Sequence, residues 1–402
     1  MKILFVTTRN IIGSGGETSL IKKRAATLAN KWGIETEFYI LLPEKAVLQN
    51  REAIDKGTLI QHCNLFILPF SYYKFIASVT QRLARDPNIG AVIISGTLLG
   101  FPLLNAISKY KNKVKIILDL HGAIEEFLEY PSDRFKPFGF NRLLYKICDH
   151  DMKKALSVAD GTLVVSNSMK EHISTKYSPP EGFNFFIVPC GVCFDGIDTN
   201  CAIESRKNWR HALGIKEHEV VFVYSGGVSK WQNIKETIEF YNRVKQYLNA
   251  ETRLMIMTNS KNSIREIISP EEQDVIIESF SPQQVQEVLY AGDIGMLLRD
   301  KCITNTVAFP NKFSEYMAAG LEIICSTALA EPSIIVSEYK TGYLYSDEEA
   351  RMNEIIFWLN ERITKRQNNL LALLNERSKI IGVISFNNTL VKFADWLQEP
   401  SL

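Results

Sequence analysis

Short apolar runs rich in Val, Ile and Leu alternate along the chain with segments whose apolar residues recur every three or four positions. The first pattern predicts strands buried on both faces, the second amphipathic helices. In the first half, strands are expected over residues 2–7, 36–41, 65–68, 91–95, 114–120, 162–166 and 185–189, with helices over 18–32, 72–85 and 167–177. A linker at 190–198 follows, and the pattern restarts. A helix near 205–213 leads to strands at 220–224, 253–257, 275–279, 294–298, 321–325 and 342–345, separated by helices at 232–248, 281–291 and 310–319. Helices resume from about 347. The tail 387–398 reads as one more, carrying Leu390, Val391, Phe393, Trp396 and Leu397, and is too apolar to stand without a groove to lie in. Repeated strand–helix units of this size imply mostly parallel sheets with helices on both faces. The chain is therefore read as two Rossmann-like, doubly wound α/β domains, 1–198 and 199–384, with 385–402 as a separate C-terminal helix.

Composition narrows the class. With 402 residues, 46% hydrophobic and 23% charged, the chain can bury two full cores. It holds no apolar run long enough for a transmembrane helix, and its opening MKILFVTTRN turns polar too soon for a signal peptide. Seven cysteines, an odd number in a large chain, fit a reducing, cytoplasmic setting better than a disulfide framework. A net charge of +1 leaves no footprint for nucleic acid. The first 200 residues hold 24 Lys and Arg against 19 Asp and Glu, the remainder 22 against 26, so what basic bias exists lies in the first half. There residues 134–146 interleave bases with aromatics, and Lys22-Lys23-Arg24 and the lysines of 109–115 add to them. Such a surface suits peripheral contact with an anionic membrane face, or is a helix packed by its aromatics with solvated bases outside.

Candidate chemistry gathers at strand ends. The first strand runs into a glycine loop in which Gly15-Gly16 permits close backbone approach. This is not the GxGxxG fingerprint, and a ligand site and a tight turn are both open. Residues 309–326 read as a short helix and a buried strand: Pro310 suits the first turn, Phe313 and Met317 share a face, and Gly320 stops the helix. Lys312 and Glu315, three apart, also share a face. An ammonium and a carboxylate near a helix N-terminus beside a parallel sheet can hold phosphates and a ribose; a surface ion pair is the plain alternative. Cys190-x-x-Cys193 has the spacing of a zinc or redox pair, but only Cys201 lies near, short of the ligand set zinc needs. Asp149-His150-Asp151 falls inside a helix rather than a strand-end loop, so no metal is expected.

Three stretches carry a resemblance: Val188-Pro189-Cys190-Gly191-Val192, the loop from Tyr224 through Gly226-Gly227 to Lys230, and the block FPNKFSEYMAAGL from Phe309 to Leu321. Set in two Rossmann-like halves, they resemble the GT-B fold, and within it the retaining glycosyltransferases of family 4. The likeness covers nearly the whole chain, and its most specific pieces are the linker and the last block. It implies two domains facing a cleft, a C-terminal helix crossing back to the first, an acceptor-binding first domain, and a second domain that binds a nucleotide-diphosphate sugar without metal.

On that resemblance Lys230 is the phosphate-binding base. Gly227 or Ser229 stands where the family has an arginine, and Arg299 is the candidate to supply the missing charge, with a strand-end surface arginine as the alternative. Glu315 matches the second glutamate of the family's paired-glutamate motif, which takes the ribose hydroxyls. Val307 replaces the first, so the donor sugar is left to backbone groups of 308–311, Asn311 among them, or to Lys312. Phe280 and Ser281 hold the base, and Gly15, Gly16 and Gly227 give close approach to the donor. His121, after a strand end, stands near the transferred sugar and the acceptor, or is a loop histidine satisfied by its neighbours. Glu125 or Glu126 binds acceptor hydroxyls, or both merely charge a helix start.

The activity implied is transfer of a sugar, with retention, to a saccharide or lipid-linked acceptor in polysaccharide or glycoconjugate synthesis. His121, Lys230 and Glu315 are the catalytic candidates, acting by positioning and leaving-group stabilisation. The rivals are a nucleotide-sugar 2-epimerase of the same fold and a non-catalytic nucleotide-sugar-binding partner subunit, the latter kept open by Val307.

Overall fold

The computed structural model describes residues 1–8, 16–49, 63–68, 71–96, 100–131, 139–269, 272–346 and 351–399. The chain divides into two compact units, Met1–Pro189 with Phe386–Leu402, and Cys190–Ser385.

The first unit is built on a seven-stranded, all-parallel sheet of order β3-β2-β1-β4-β5-β6-β7. Its strands are β1 Lys2–Thr7, β2 Glu35–Pro43, β3 Cys63–Leu68, β4 Ile89–Ser95, β5 Lys115–Leu120, β6 Gly161–Val164 and β7 Asn184–Ile187. The central strands are buried on both faces because helices cover both. The helix Tyr72–Arg85 turns Phe75, Val79 and Leu83, each four apart, into the core. The helix Asn167–Tyr177 is capped by Ser166, whose Oγ accepts the Met169 N–H at 3.0 Å. The chain's last residues pack here: Phe393 and Trp396 lie 5.2 and 5.0 Å, centroid to centroid, from Phe186 of β7. Lys115 places its ammonium 4.6 Å from the Trp396 ring and donates to the Glu399 carbonyl at 2.8 Å, a cation on a helix C-terminus. This tail is not the single helix the sequence suggests. It comprises Phe386–Thr389 and Val391–Gln398, parted at Leu390.

The second unit holds a six-stranded parallel sheet of order β10-β9-β8-β11-β12-β13. Its strands are β8 Val220–Ser225, β9 Thr252–Met257, β10 Val275–Glu278, β11 Ile294–Leu297, β12 Glu322–Ser326 and β13 Gly342–Tyr345. Its leading helix, Thr199–Ala212, begins six residues before the sequence pattern suggests. Asp198, in the apparent linker, caps it by accepting the N–H groups of Asn200 and Cys201, both at 3.1 Å. The helix Asn311–Ala318 buries Phe313, Tyr316 and Met317, with Pro310 at its N-cap and Gly320 in the left-handed region, φ 68°. Both sheets thus have the doubly wound order in which the strand sequence reverses beside the first strand, at β1/β4 and at β8/β11.

One contact tests the second sheet. Gly342 pairs with Ile323, and a Cβ there would strike the Ile323 carbonyl, which is backbone and cannot yield. Gly342→Ala is expected to cost at least about 2 kcal/mol in stability. An unchanged midpoint in urea unfolding would show that β12 and β13 do not approach this closely.

Candidate active site

Parallel strands deliver their carboxyl ends to one edge, and in the second unit that edge gathers a compact polar group. β8 ends in Ser225 and turns at Gly226, whose φ of 144° suits glycine. A side chain at Gly226 would collide with Lys312 Nζ and Cε. Gly226 is therefore the opening through which Lys312, from the second position of the helix Asn311–Ala318, reaches the strand end. Its ammonium donates to Gln232 Oε1 at 2.6 Å and lies 4.4 Å from the centre of the Tyr224 ring. Tyr224 Oη in turn sits 2.9 Å from the same Gln232 oxygen and 2.6 Å from the Gly227 carbonyl. Burial, and then the charge of Arg299, hold the Lys312 amine well below an ordinary lysine, against the pull of Glu315.

Arg299 follows β11. Its N–H donates to Ser326 Oγ at 2.8 Å, and its guanidinium to the carbonyls of Gln232 (2.8 Å) and Leu298 (2.7 Å). It is buried rather than a strand-end surface arginine. Tyr316 braces the turn by accepting the Ser225 N–H at 2.8 Å. Lys230 opens a single 3₁₀ turn, Lys230–Gln232, and is exposed.

Of the residues singled out from sequence, Gly227, Arg299 and Lys312 share bonds to Tyr224 or Gln232. Glu315 is within electrostatic reach of Lys312, and Asn311 begins the same helix. Val307 is buried, 3% exposed. Phe280 and Ser281 follow the outermost strand β10. There Phe280 meets Trp209 edge-on at 5.5 Å, and the Ser281 N–H donates to Gln284 Oε1 at 3.1 Å at a helix start. Gln232 was missed because a helix-opening glutamine looks like any other; the signal was its place two residues after Lys230.

The first unit contributes a second group. Asp119, in β5, is fully buried, and Arg24 donates to its Oδ1 at 2.6 Å. Arg24 also donates to the Val188 carbonyl, and is 1% exposed. This corrects the surface role given to Lys22-Lys23-Arg24: the third base of that run is interior. His121 Nε2 lies 2.9 Å from Asp119 Oδ2. Burial alone would raise the Asp119 pKa, but His121 and Arg24 outweigh it and hold the carboxyl below its usual range. A buried carboxylate behind an imidazole fixes the ring's orientation. Neither Arg24 nor Asp119 was among the sequence candidates.

Glu125, read as a helix-start charge or an acceptor ligand, is buried. It meets Lys176 at 2.7 Å and His172 at 3.2 Å. Lys176 also reaches Asp149 at 2.7 Å. Gly16 begins the helix Gly16–Trp32 and is exposed; Gly15 lies outside the described residues, as do residues 132–138 of the basic, aromatic stretch. Among the described residues, no cluster of His, Cys, Asp or Glu is arranged to hold a metal ion.

The pneumococcal O-GlcNAc transferase GtfA, in complex with UDP and GlcNAc, superposes with a TM-score of 0.67 at 11% identity, covering 100% of this chain and 99% of that one. Sucrose-phosphate synthase from Thermosynechococcus elongatus gives 0.66 at 13% identity over 98% of both chains. HepE from Anabaena, in complex with UDP, gives 0.64 at 14% identity over 99% of both. At such identities the likeness concerns the fold: the chain has the GT-B architecture of two Rossmann-like sheets. Residues 205–371, within the second unit, match the family model for glycosyl transferases group 1, so the chain carries that domain and is a glycosyltransferase. No curated protein matches the sequence.

The Glu125 group predicts an acid response. Burial would raise the Glu125 pKa, yet hydrogen bonds from His172 and Lys176 lower it from 4.5 to about 2. Its contribution is thus present above the unfolded value and lost as pH falls from about 4.5 towards about 2. Glu125→Gln is expected to be about 1–3 kcal/mol less stable at pH 7. The gap to wild type should close across that acid window in pH-dependent urea unfolding; a constant gap would refute the pairing.

Proposed function

We propose that the chain is a retaining glycosyltransferase that moves a sugar from a nucleotide-diphosphate donor to a saccharide or lipid-linked acceptor, in the synthesis of a polysaccharide or glycoconjugate. The observation that carries this reading is the Lys312–Gln232–Arg299 group at the carboxyl edge of the second sheet, with Gly226 left open for the lysine. Two cations at the turn after the first strand of a doubly wound sheet suit a diphosphate. Lys230 adds a third from the exposed side of the same loop, and Glu315 is assigned to the ribose hydroxyls. Phe280 and Ser281 are assigned to the base, Asn311 and Lys312 to the donor sugar in place of the absent first glutamate. Departure of the diphosphate is stabilised by these cations, and the acceptor hydroxyl attacks from the face it leaves. His121, held by Asp119, is assigned to the acceptor and the transferred sugar. We assign the chain to family 4 on the resemblance of its donor-site motifs.

Peripheral membrane contact on the cytoplasmic side is part of the proposal. The helix Phe140–Val158 exposes Phe140, Leu143 and Ile147 along one face, with exposed Arg142 and Lys146 beside them. No described helix is long and apolar enough to cross a membrane.

The donor assignment is tested by calorimetry and thermal shift with UDP, GDP, CDP and TDP and their sugar conjugates, without metal. One base should stand out, adding about 2.7 kcal/mol of stability at a hundred times its Kd. Glu315→Ala and Lys230→Ala should abolish transfer with melting nearly unchanged, the lysine costing on the order of 2–4 kcal/mol of transition-state stabilisation. The Lys312 pKa is depressed below 10.5, so the amine is neutral in the free enzyme over the alkaline range above that lowered value, and an arriving diphosphate favours its ammonium form. Binding in that range should therefore take up a proton, seen as an enthalpy that changes with the buffer's ionisation heat. Wild-type turnover in either variant would sink the assignment.

Membrane contact is tested by co-sedimentation with vesicles containing anionic lipid. The wild-type chain should pellet and Leu143→Glu should not; equal recovery of both in the supernatant would reject it.

A further inference from the structure

In the polar group at the carboxyl edge of the second sheet, one side chain is held at nearly every polar atom and still has a donor left over. The backbone N–H of Gln232 donates to the Ser229 carbonyl at 2.8 Å, and its carbonyl accepts from Arg299 at 2.8 Å. Its side-chain Oε1 accepts from Lys312 Nζ at 2.6 Å and lies 2.9 Å from Tyr224 Oη. An ammonium has no acceptor to offer, so the atom facing Lys312 is the amide oxygen and the nitrogen is turned away from it.

That nitrogen, Nε2, meets no acceptor among the described residues, and it is not sealed from solvent. The amide lies along the turn after β8. A Cβ on Gly226 would come within 2.7 Å of Oε1, and one on Gly227 would meet Nε2 at 3.7 Å. The two glycines therefore do different things. Gly226 admits Lys312, whereas Gly227 keeps a side chain from standing over the Gln232 nitrogen. Both are part-exposed, so the turn is open on the side where Nε2 lies.

An amide fixed at its other atoms is a preorganised donor, with little side-chain freedom left to lose on binding. It also differs in kind from its neighbours. Arg299 already acts against the charge of Lys312, and a third cation at this position would add to that repulsion. The two N–H groups of a neutral amide meet ionised phosphate oxygens without it.

We propose that Gln232 contacts the donor diphosphate directly, its Nε2–H groups donating to phosphate oxygens beside Lys312, and that Tyr224 is a positioning residue that keeps the amide turned this way. The inference rests on the reading of this edge as a diphosphate site and adds a contact that neither cation supplies. The competing role is a fastener for Lys312. The two roles are separable, because a fastener has no effect once Lys312 is removed.

The experiment is a double-mutant cycle read by isothermal calorimetry on the full chain, without metal. The probes are inorganic pyrophosphate and UDP, GDP, CDP and TDP. Gln232→Met keeps the length of the side chain and removes both polar atoms. It should weaken pyrophosphate binding by at least about tenfold, and by a similar factor in the Lys312→Met background. Tyr224→Phe should weaken binding by a smaller factor, and only where Gln232 is present. A second measurement needs no variant. In the unaltered chain labelled with nitrogen-15 glutamine, a side-chain amide pair should shift saturably as pyrophosphate is added, with the midpoint found by calorimetry. A loss in Gln232→Met that vanishes in the Lys312→Met background makes Gln232 a fastener and overturns the proposal. Binding indifferent to Gln232→Met, or no amide pair moving, overturns it as well, and in each case the donor reading stands. Absence of saturable binding of pyrophosphate and of every nucleotide to the wild-type chain overturns the donor reading and this inference with it.

Discussion

A single buried carboxylate organises the second unit. Asp293 precedes β11, and its oxygens accept from the leading helix through Arg206 and Arg210, from the long helix Met352–Ile380 through Arg366, and from the start of β8 through the Val221 N–H. Burial alone would raise its pKa; three guanidiniums reverse that and keep it ionised far below the ordinary range. An ion buried this deeply is tolerated only when every oxygen is satisfied, and here each is. The result is that two helices distant in sequence are registered against the strand order. Everything at the far, carboxyl edge inherits its position from that register, because a strand fixed at its beginning is fixed at its end.

At the carboxyl edge the governing constraint is space rather than charge. Lys312 reaches the turn after β8 because Gly226 has no side chain. Once there, the amine is desolvated and repelled by Arg299, which lowers its pKa well below that of an ordinary lysine. Tyr224 and Gln232 hold it in place while it waits, one by its ring face and one by an amide oxygen. A group held this way responds to charge: burial and Arg299 lower the pKa of the amine, and a nearby anion would raise it again. The first unit treats His121 in the reverse manner, placing the buried carboxylate of Asp119, its pKa lowered, behind the ring and Arg24 behind Asp119.

What could be read from sequence follows from how local each interaction is. Strands buried on both faces declare themselves as unbroken branched runs, and the helices Tyr72–Arg85 and Asn167–Tyr177 as clean periodicity, so the doubly wound architecture was legible. The early start of Thr199–Ala212 was not, because Asp198 is equally at home in a linker and only its bonds reveal a cap. Arg24 was taken for surface charge because its partner, Asp119, is 95 residues away, and no periodicity within one helix reports a bond of that range. Gln232 escaped for the same reason: its partners lie on a strand, a loop and a helix up to 80 residues off. Lys312 and Glu315 stood out, but as a pair on one face; the glycine that admits Lys312 was noted only as part of a loop pattern.

The two edges of the second sheet therefore differ in kind. At the amino edge, arginines fasten helices to Asp293 and Glu322, several guanidiniums to each carboxylate. At the carboxyl edge, the cations are fewer and individually placed, each tied to Gln232 or the turn beside it. β11 and β12 run unbroken from one edge to the other, from Asp293 and Glu322 to Arg299 and to Ser326, which takes the Arg299 N–H. Arg362 and Arg377 repel each other while sharing the Glu322 carboxylate at the start of β12, and a change in the position of that strand would be felt by Arg299 at its end. Parallel strands make this unavoidable: they place the two charged edges at opposite ends of the same rigid elements, so the chemistry of one edge is a boundary condition on the other.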